Sequence, residues 1–197
     1  MINQITSGKI QSDKIKINER ELALRLKTEV GFENEMIKEC KEELLKVVEC
    51  KYAYTEVPVN LSENNYVNLY FRQTKSKDLY KNLKGCKSAY VFAITLGIGV
   101  DRLLSKLNIV SQSKHFITDA IASALAESLC DYVNQMIGEN KKTKRRFSAG
   151  YGDLSLEIQK DILNVLLADK TLGITLNESL LMTPVKSITA IMGVIEN

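Results

Sequence analysis

The feature that most constrains the fold of this chain is a continuous apolar run at residues 89–94, Ala-Tyr-Val-Phe-Ala-Ile. Successive side chains of a β-strand point to opposite faces of its sheet. A strand-length run that is apolar at every position must therefore be covered on both faces, and we expect it to form a central strand. The 197 residues suffice for one domain with such a core, or for two very small ones.

Helical spacing of apolar residues predicts helices along most of the remaining chain. Residues 114–137 form the longest of these, and the small residues in its middle allow neighbouring backbone to come close. Residues 95–102 predict a tight turn from the central strand into a helix, because they lack the third glycine and the acidic partner of a dinucleotide-binding fingerprint. The other predicted helices run from the N-cap Asn18 to Gly31 and over residues 33–50, 76–83 and 155–168.

Alternating, aromatic and β-branched residues predict further strands. Residues 15–17 alternate with lysines and predict a short strand, and residues 187–194 predict the last one. Residues 52–59 and 66–71 flank a polar turn, so we expect these two segments to pair as a hairpin.

The net charge and the absence of targeting signals indicate which classes of partner and which cellular compartment to expect. The formal charge of +3 is too small to imply a nucleic-acid or membrane partner by itself, and no stretch of 18 uninterrupted apolar residues occurs. Residues 1–6 lack the basic start and apolar core of a signal peptide. The four cysteines form no Cys-x-x-Cys pair, which is typical of buried, reduced thiols. We therefore expect a cytoplasmic protein that does not bind a membrane.

Residue types that commonly carry catalysis are scarce. His115 is the single histidine. One histidine is too few for a metal site built mainly from histidines, and it argues against a histidine–carboxylate relay. The sequence contains no Walker-type loop, nucleophile elbow or zinc-protease helix. These observations argue against the common autonomous enzymes, although not against catalysis as such, and they identify no catalytic or metal-binding residue.

One segment, residues 145–153, carries side chains suited to a small ligand. Arg146 offers a planar fork to a carboxylate, and Tyr151 a ring with a polar tip. Gly150 and Gly152 allow close approach of the main chain or a positive φ. These groups would suit a zwitterion that carries an aromatic base. The alternative is a structured turn in which Asp153 caps the helix that begins near residue 155.

The sequence resembles the activation, or reactivation, domain of vitamin B12-dependent methionine synthase in its stand-alone form. Arg146-x-x-x-Gly150-Tyr151 is similar to the motif by which that family holds S-adenosylmethionine, and residues 173–184 resemble its Gly-x-x-Leu-x-Glu-Ser-x-x-Met-x-Pro segment. Residues 122–133 resemble the family's alanine-rich helix. The resemblance implies that the ligand is bound by Arg146, Ser148, Gly150, Tyr151, Glu127 and Glu178.

The resemblance also implies a fold and a role. The fold is expected to be α+β, a twisted and mostly antiparallel sheet with packed helices, as one domain over residues 1–197. The expected role is to hold S-adenosylmethionine for the reductive remethylation of cobalamin in a methionine synthase or other corrinoid protein, acting in trans. Cobalamin is expected to be bound by that partner protein and not by this chain. A flavodoxin- or ferredoxin-like protein is expected to donate the electron. Such a component acts by positioning, so it needs no catalytic cluster.

Several positions depart from the family's pattern. Ser123 stands at an acidic position of the alanine-rich helix, and Ala149 stands where proline is usual. Counterparts of an early acid and of a late pair of tyrosines, which also contact the ligand in the family, are not found. This incomplete set favours an alternative, a sensor or adaptor that binds S-adenosylmethionine without methyl transfer. A nucleic-acid patch at residues 141–146 is disfavoured because it is short and lacks interleaved aromatics.

Overall fold

The computed structural model of the chain describes residues 4–139 and 141–195. Residues 1–3 of the N-terminal segment and Asn140 of the basic loop lie outside the described residues, as do residues 196–197. The strands are β1 (Thr6–Lys9), β2 (Lys51–Pro58), β3 (Asn60–Ser62), β4 (Tyr66–Asn68), β5 (Gln73–Lys75), β6 (Cys86–Thr95), β7 (Thr175–Leu176), β8 (Met182–Thr183) and β9 (Ser187–Ile195). The α-helices are α1 (Glu19–Leu26), α2 (Glu35–Leu45), α3 (Lys77–Leu83), α4 (Ile98–Val110), α5 (Gln112–Gly138), α6 (Ile158–Val165) and α7 (Ala168–Thr171).

The main sheet has four antiparallel strands in the order β1-β2-β6-β9. Strand β6 contains the apolar run and lies between β2 and β9, with Ala93 opposite Ala53 on one side and opposite Thr189 on the other. The predicted central strand is therefore confirmed. The expected mixture of helices and antiparallel sheet is confirmed as well.

Both faces of β6 are covered, as its composition requires. Phe92 and Ile94 are fully buried in a core that they share with helices α2, α4 and α5. Val91 and Ala93 point the opposite way and are fully buried in a second core with α3 and α6. The sheet is thus the middle layer between two groups of helices, and removal of apolar surface from water on both sides stabilises it.

Helix α5 confirms the expectation of close backbone approach. The hydroxyl of Ser128 donates to the carbonyl oxygen of Ala124 at 2.9 Å and accepts the backbone N–H of Asn18 at 3.0 Å. Asn18 in turn accepts the backbone N–H groups of Arg20 and Glu21, which confirms it as the N-cap of α1. A small polar side chain on α5 therefore fixes the start of α1 directly on its surface.

Two strand predictions are wrong: one predicted strand does not form, and one predicted hairpin pairs differently. Residues 15–17 form no strand, since their alternation reflects burial of Ile15 against the helices, and β1 pairs with β2 instead. Strand β4 pairs with β3 and β5 in a small second sheet and not with β2. The cause is the turn between them, where Asn64 and Asn65 adopt positive φ values of 61° and 65° and reverse the chain locally. Local closure of β3 on β4 leaves β2 free to pair with β6.

The helix boundaries are shorter than the apolar periodicity predicts. Lys27 is left-handed with a φ of 56° and ends α1 well before Gly31. Helix α2 covers Glu35–Leu45 within the predicted residues 33–50. The predicted helix over residues 155–168 is divided, because Leu167 has a φ of 49° and separates α6 from α7. The periodicity continues past these ends into residues that are not helical, among them the exposed Val30 and the half-buried Val47 and Val48.

The predicted cap made by Asp153 is wrong in its target. Its carboxylate accepts the hydroxyl of Ser76 at 2.5 Å and the backbone N–H groups of Lys77 and Asp78 at 2.7 and 3.2 Å. Asp153 therefore caps α3, far away in the sequence, and not the helix that follows it. The bond from Ser76, followed by those from the two backbone N–H groups, lowers the pKa of this carboxyl.

This cap makes a prediction about pH. Because the pKa of Asp153 is lowered in the folded state, its contribution to stability is present above the unfolded pKa and is lost as the pH falls through the folded one. We expect Asp153→Asn to lower the Tm at pH 7, and the difference from the wild type to shrink toward pH 3. Thermal unfolding followed by circular dichroism measures it.

The control is Asp13→Asn, at an exposed aspartate outside this cap, which should change the Tm little at any pH. An equal loss from Asp153→Asn at pH 7 and pH 3 would show that the charge of Asp153 does not contribute to the cap.

Candidate functional site

A cavity of about 1310 Å³ lies between the C-terminal half of α5, strand β9 and the segment that contains Arg146. Its apolar floor includes Ile188 and Met192 of β9. Helix α3 closes one side with Asp78 and Asn82. The remaining walls come from α5 and the segment, in particular from Glu127, Asp131, Asn134, Arg145, Arg146, Phe147, Ser148 and Tyr151.

The segment is held in place by pairing along the outer edge of β9. Phe147 and Ile191 exchange two backbone hydrogen bonds of 2.8 Å, and the N–H of Lys144 donates to the carbonyl of Gly193 at 2.8 Å. Phe147 packs into the core on the far face of the sheet. Arg146 precedes it, and its side chain reaches α5. Pairing with the sheet thus fixes where the guanidinium enters the cavity.

A tight turn follows the paired residues. The N–H of Tyr151 donates to the carbonyl of Ser148 at 3.2 Å, and the N–H of Gly150 donates to that of Leu154 at 3.1 Å. Gly150 has a φ of 80° and Gly152 a φ of 53°. The expected positive φ at Gly150 is therefore confirmed. Glycine adopts this conformation without the steric cost of a side chain, and the turn leaves the ring of Tyr151 69% exposed at the cavity mouth.

Arg146 is bound by two carboxylates of α5. Its Nη2 donates to Glu127 at 2.9 Å, and its Nη1 donates to Asp131. Burial acts to lower the pKa of Arg146, whereas Cys130, Asp131 and Glu127 raise it by more, so the pKa lies above its usual value. The guanidinium therefore stays charged. Burial raises the pKa of the neighbouring Cys130 to about 12, so this thiol stays protonated and is not a nucleophile.

The structure brings together most of the residues implied by the sequence. Arg146, Ser148, Tyr151 and Glu127 all line the cavity, and Gly150 shapes the turn that joins two of them. Glu178 does not line it. This residue is exposed and borders a separate depression of about 520 Å³ beside the β7–β8 hairpin. Its assignment to the ligand stays a prediction.

Asp131, Asn134 and Asn82 are among the polar residues of the cavity that the sequence reasoning missed. Asp131 lies four residues after Glu127 on α5, and helical spacing could have identified it. Asn134 lies on the same helix, one turn after Asp131. Asn82 comes from α3 and carries no sequence signal, although its amide donates to the carbonyl of Arg145 at 3.0 Å. Among the described residues, the Oδ1 atoms of Asn82 and Asn134 are buried without a hydrogen-bond donor.

Charges of both signs line the cavity. Asp78, Glu127, Asp131 and Glu139 supply four acidic groups, and Lys144, Arg145 and Arg146 supply three basic ones. Other cations of the basic loop are engaged by the chain itself, since Lys141 binds Glu56 at 2.7 Å. A cavity with this lining can bind a molecule that carries both signs of charge.

The second motif segment, residues 173–184, leads into strand β9. Its β7–β8 hairpin is fixed to α6 by a 3.0 Å bond from the amide of Gln159 to the carbonyl of Leu180. The carboxylate of Asp101 then accepts the N–H of Val185 at 2.9 Å, just before β9 begins. The resemblance of residues 173–184 therefore falls on a segment that directs β9, and β9 supplies the cavity floor.

Metal sites and membrane spans are not found among residues 4–139 and 141–195. No group of three or more histidine, cysteine or acidic side chains there is arranged to hold a metal ion. No helix in the same part of the chain has the length and apolarity to cross a bilayer. The thiols of Cys40, Cys50, Cys86 and Cys130 are free and buried, as their spacing predicts.

Comparison with known proteins identifies a structural relative. No protein-family model and no curated protein matches this sequence. The crystal structure of the MetH reactivation domain bound to AdoHcy matches the structure with a TM-score of 0.72 at 15% sequence identity. The match covers 96% of this chain and 78% of that one. The chain therefore has a fold similar to that of the MetH reactivation domain over nearly its whole length.

Proposed function

We propose that this protein binds S-adenosylmethionine in the cavity beside Arg146 and thereby supports the reductive remethylation of cobalamin in a methionine synthase or another corrinoid protein, acting in trans. One observation carries the proposal. Arg146, Ser148, Tyr151 and Glu127 line a single cavity, in a fold similar to that of a domain crystallised with AdoHcy.

The lining of the cavity fits the chemical groups of this ligand. Arg146 suits the carboxylate, and the acids of α5 suit the ammonium and sulfonium groups. The exposed ring of Tyr151 can stack on the base.

Positioning is the contribution that the chain's own residues make. The sulfonium of the ligand supplies an activated methyl group, for which the cobalt of the partner's cobalamin is the acceptor. Arg146 and the acids of α5 hold the ligand in one orientation, and the open mouth beside Tyr151 lets a partner approach. A flavodoxin- or ferredoxin-like protein donates the electron. No acid, base or nucleophile of this chain is required.

The first prediction tests the contact between Arg146 and the ligand carboxylate. Arg146→Ala should weaken S-adenosylmethionine binding by about 1.5–3 kcal/mol, the usual range for a hydrogen bond to a charged group. Isothermal titration calorimetry measures the Kd. Lys142→Ala is the matched control, since this exposed lysine of the same basic loop does not line the cavity and should not affect binding.

Equal weakening by both variants would show that general positive charge binds the ligand and that the motif does not. Absence of binding to the wild type would contradict the proposed ligand for the isolated chain. Repeating the titration with a corrinoid protein then tests whether the partner completes the site.

The second prediction concerns the turn at Gly150. Gly150→Val should abolish ligand binding and lower the free energy of unfolding by about 1–2 kcal/mol, because a β-branched residue is strained at a φ of 80°. Calorimetry and urea unfolding measure the two effects.

Gly31→Val separates strain from function. Gly31 has a φ of 81°, lies in open space and does not line the cavity. This variant should lose similar stability and keep full binding. Loss of binding in both variants would mean that strain alone, wherever it occurs, disables the protein.

The third prediction tests the reaction in trans. Oxidised corrinoid protein, a one-electron reductant and S-adenosylmethionine are mixed, and formation of methylcobalamin is followed by absorbance. This protein should accelerate remethylation, and Tyr151→Ala should be slower because the ring at the cavity mouth is removed. Lys142→Ala should match the wild type.

Remethylation that proceeds equally well without the protein, for each corrinoid partner tried, would contradict the reactivation role. Binding of S-adenosylmethionine without any acceleration would instead identify a sensor or adaptor, for which methyl transfer is not needed.

A further inference from the structure

The guanidinium of Arg146 is held between two carboxylates that differ in exposure. The side chain of Arg146 is 22% exposed, that of Glu127 is 41% exposed, and that of Asp131 is 61% exposed. A shielded cation strengthens its ion pairs, whereas a side chain that already faces water can leave a pair at little cost. Asp131 is therefore the partner that Arg146 can most readily exchange for another anion.

The three residues also carry unequal numbers of the two charges. One cation faces two acids, so the group carries a net charge of −1. The group therefore favours a ligand that brings a positive charge for the acids together with an anion for Arg146.

An α-amino-acid group satisfies both requirements at once. Its carboxylate fits the planar fork of Arg146, and its ammonium group offers three N–H donors and a positive charge. The two charges sit on one carbon atom, so they reach neighbouring partners such as Arg146 and Asp131. A group with a carboxylate alone would meet the two acids of α5 without compensation.

We propose that Asp131 is a specificity-determining residue, which releases Nη1 of Arg146 to the ligand carboxylate and accepts the ligand ammonium group in exchange. Glu127 keeps its 2.9 Å bond to Nη2 and holds the guanidinium in place during the exchange. This inference rests on the proposed function and deepens it: the site recognises the amino-acid end of an adenosyl amino acid.

Two ligands that differ only at that end provide the test. S-adenosylhomocysteine carries the amino-acid group, whereas 5′-methylthioadenosine has the same nucleoside and a neutral sulfur without it. Asp131→Asn keeps the shape of the side chain and removes its charge. We expect this variant to weaken S-adenosylhomocysteine binding at least tenfold and to leave 5′-methylthioadenosine binding unchanged, as measured by calorimetry.

Two further variants control for other effects. Asp119→Asn alters another ion-paired acid of α5, bound to Lys186 at 2.8 Å outside the cavity lining, and should leave both ligands unaffected. Asp131→Glu retains the charge and should recover part of the lost affinity. Thermal unfolding of each variant verifies that it is folded.

The outcomes separate this inference from the proposed function. Equal weakening of both ligands by Asp131→Asn overturns the inference, because Asp131 would then act on the whole cavity. Tighter binding of S-adenosylhomocysteine also overturns it, since Asp131 would only compete for Arg146. Both results leave the proposed function intact. Failure of the wild type to bind either S-adenosylhomocysteine or S-adenosylmethionine, alone or with a corrinoid protein, overturns the proposed function and this inference together.

Discussion

Burial of β6 on both faces is the constraint on which the rest of the structure depends. A ten-residue strand with apolar side chains on both sides needs a layer of helices above and below it. Helix α5 supplies most of the cover on one face, and its small side chains let it lie close to the other helices. Helices α3 and α6 cover the opposite face. The length and placement of α5 follow from this requirement, and so does the position of its acidic residues.

The cavity arises where this layered arrangement ends. Glu127 and Asp131 lie between buried residues of α5, on a side of the helix that other elements cover only in part. The segment from Lys144 to Phe147 pairs with β9 and places Arg146 opposite these acids. The charged side chains that face each other across the cavity are thus positioned by a helix and by backbone paired to a strand edge.

The elements that could be predicted from the sequence are those whose signals are local. Continuous apolarity identified β6, helical spacing identified α5, and a side-chain cap identified the start of α1. The predictions that were wrong concern which strand or helix a segment contacts when the two are far apart in the sequence. Pairing of β2 with β6 and the reach of Asp153 to α3 depend on contacts between residues far apart in the chain, which periodicity does not encode.

The residues of the candidate site differ in the same way in how far the sequence could predict them. Arg146, Gly150 and Tyr151 lie within one short motif and could be found together, whereas Asn82 joins the cavity from another part of the chain. Glu178 illustrates the opposite case. It belongs to a motif-like segment whose fold places it beside another depression, because the segment's contacts serve to direct β9. Motif membership identified the segment, and only the packing showed that its residues lie outside the lining of the cavity beside Arg146.

The pairing of Phe147 with Ile191 has a consequence for solubility. Strand β9 forms one border of the main sheet, and its outward N–H and C=O groups are those to which a strand of another molecule could add. The same short segment that carries Arg146 occupies these groups. The proposed ligand contact of Arg146 and the protection of the sheet edge therefore depend on one stretch of backbone. Changes that loosen this stretch would expose the edge of β9 to pairing with another molecule.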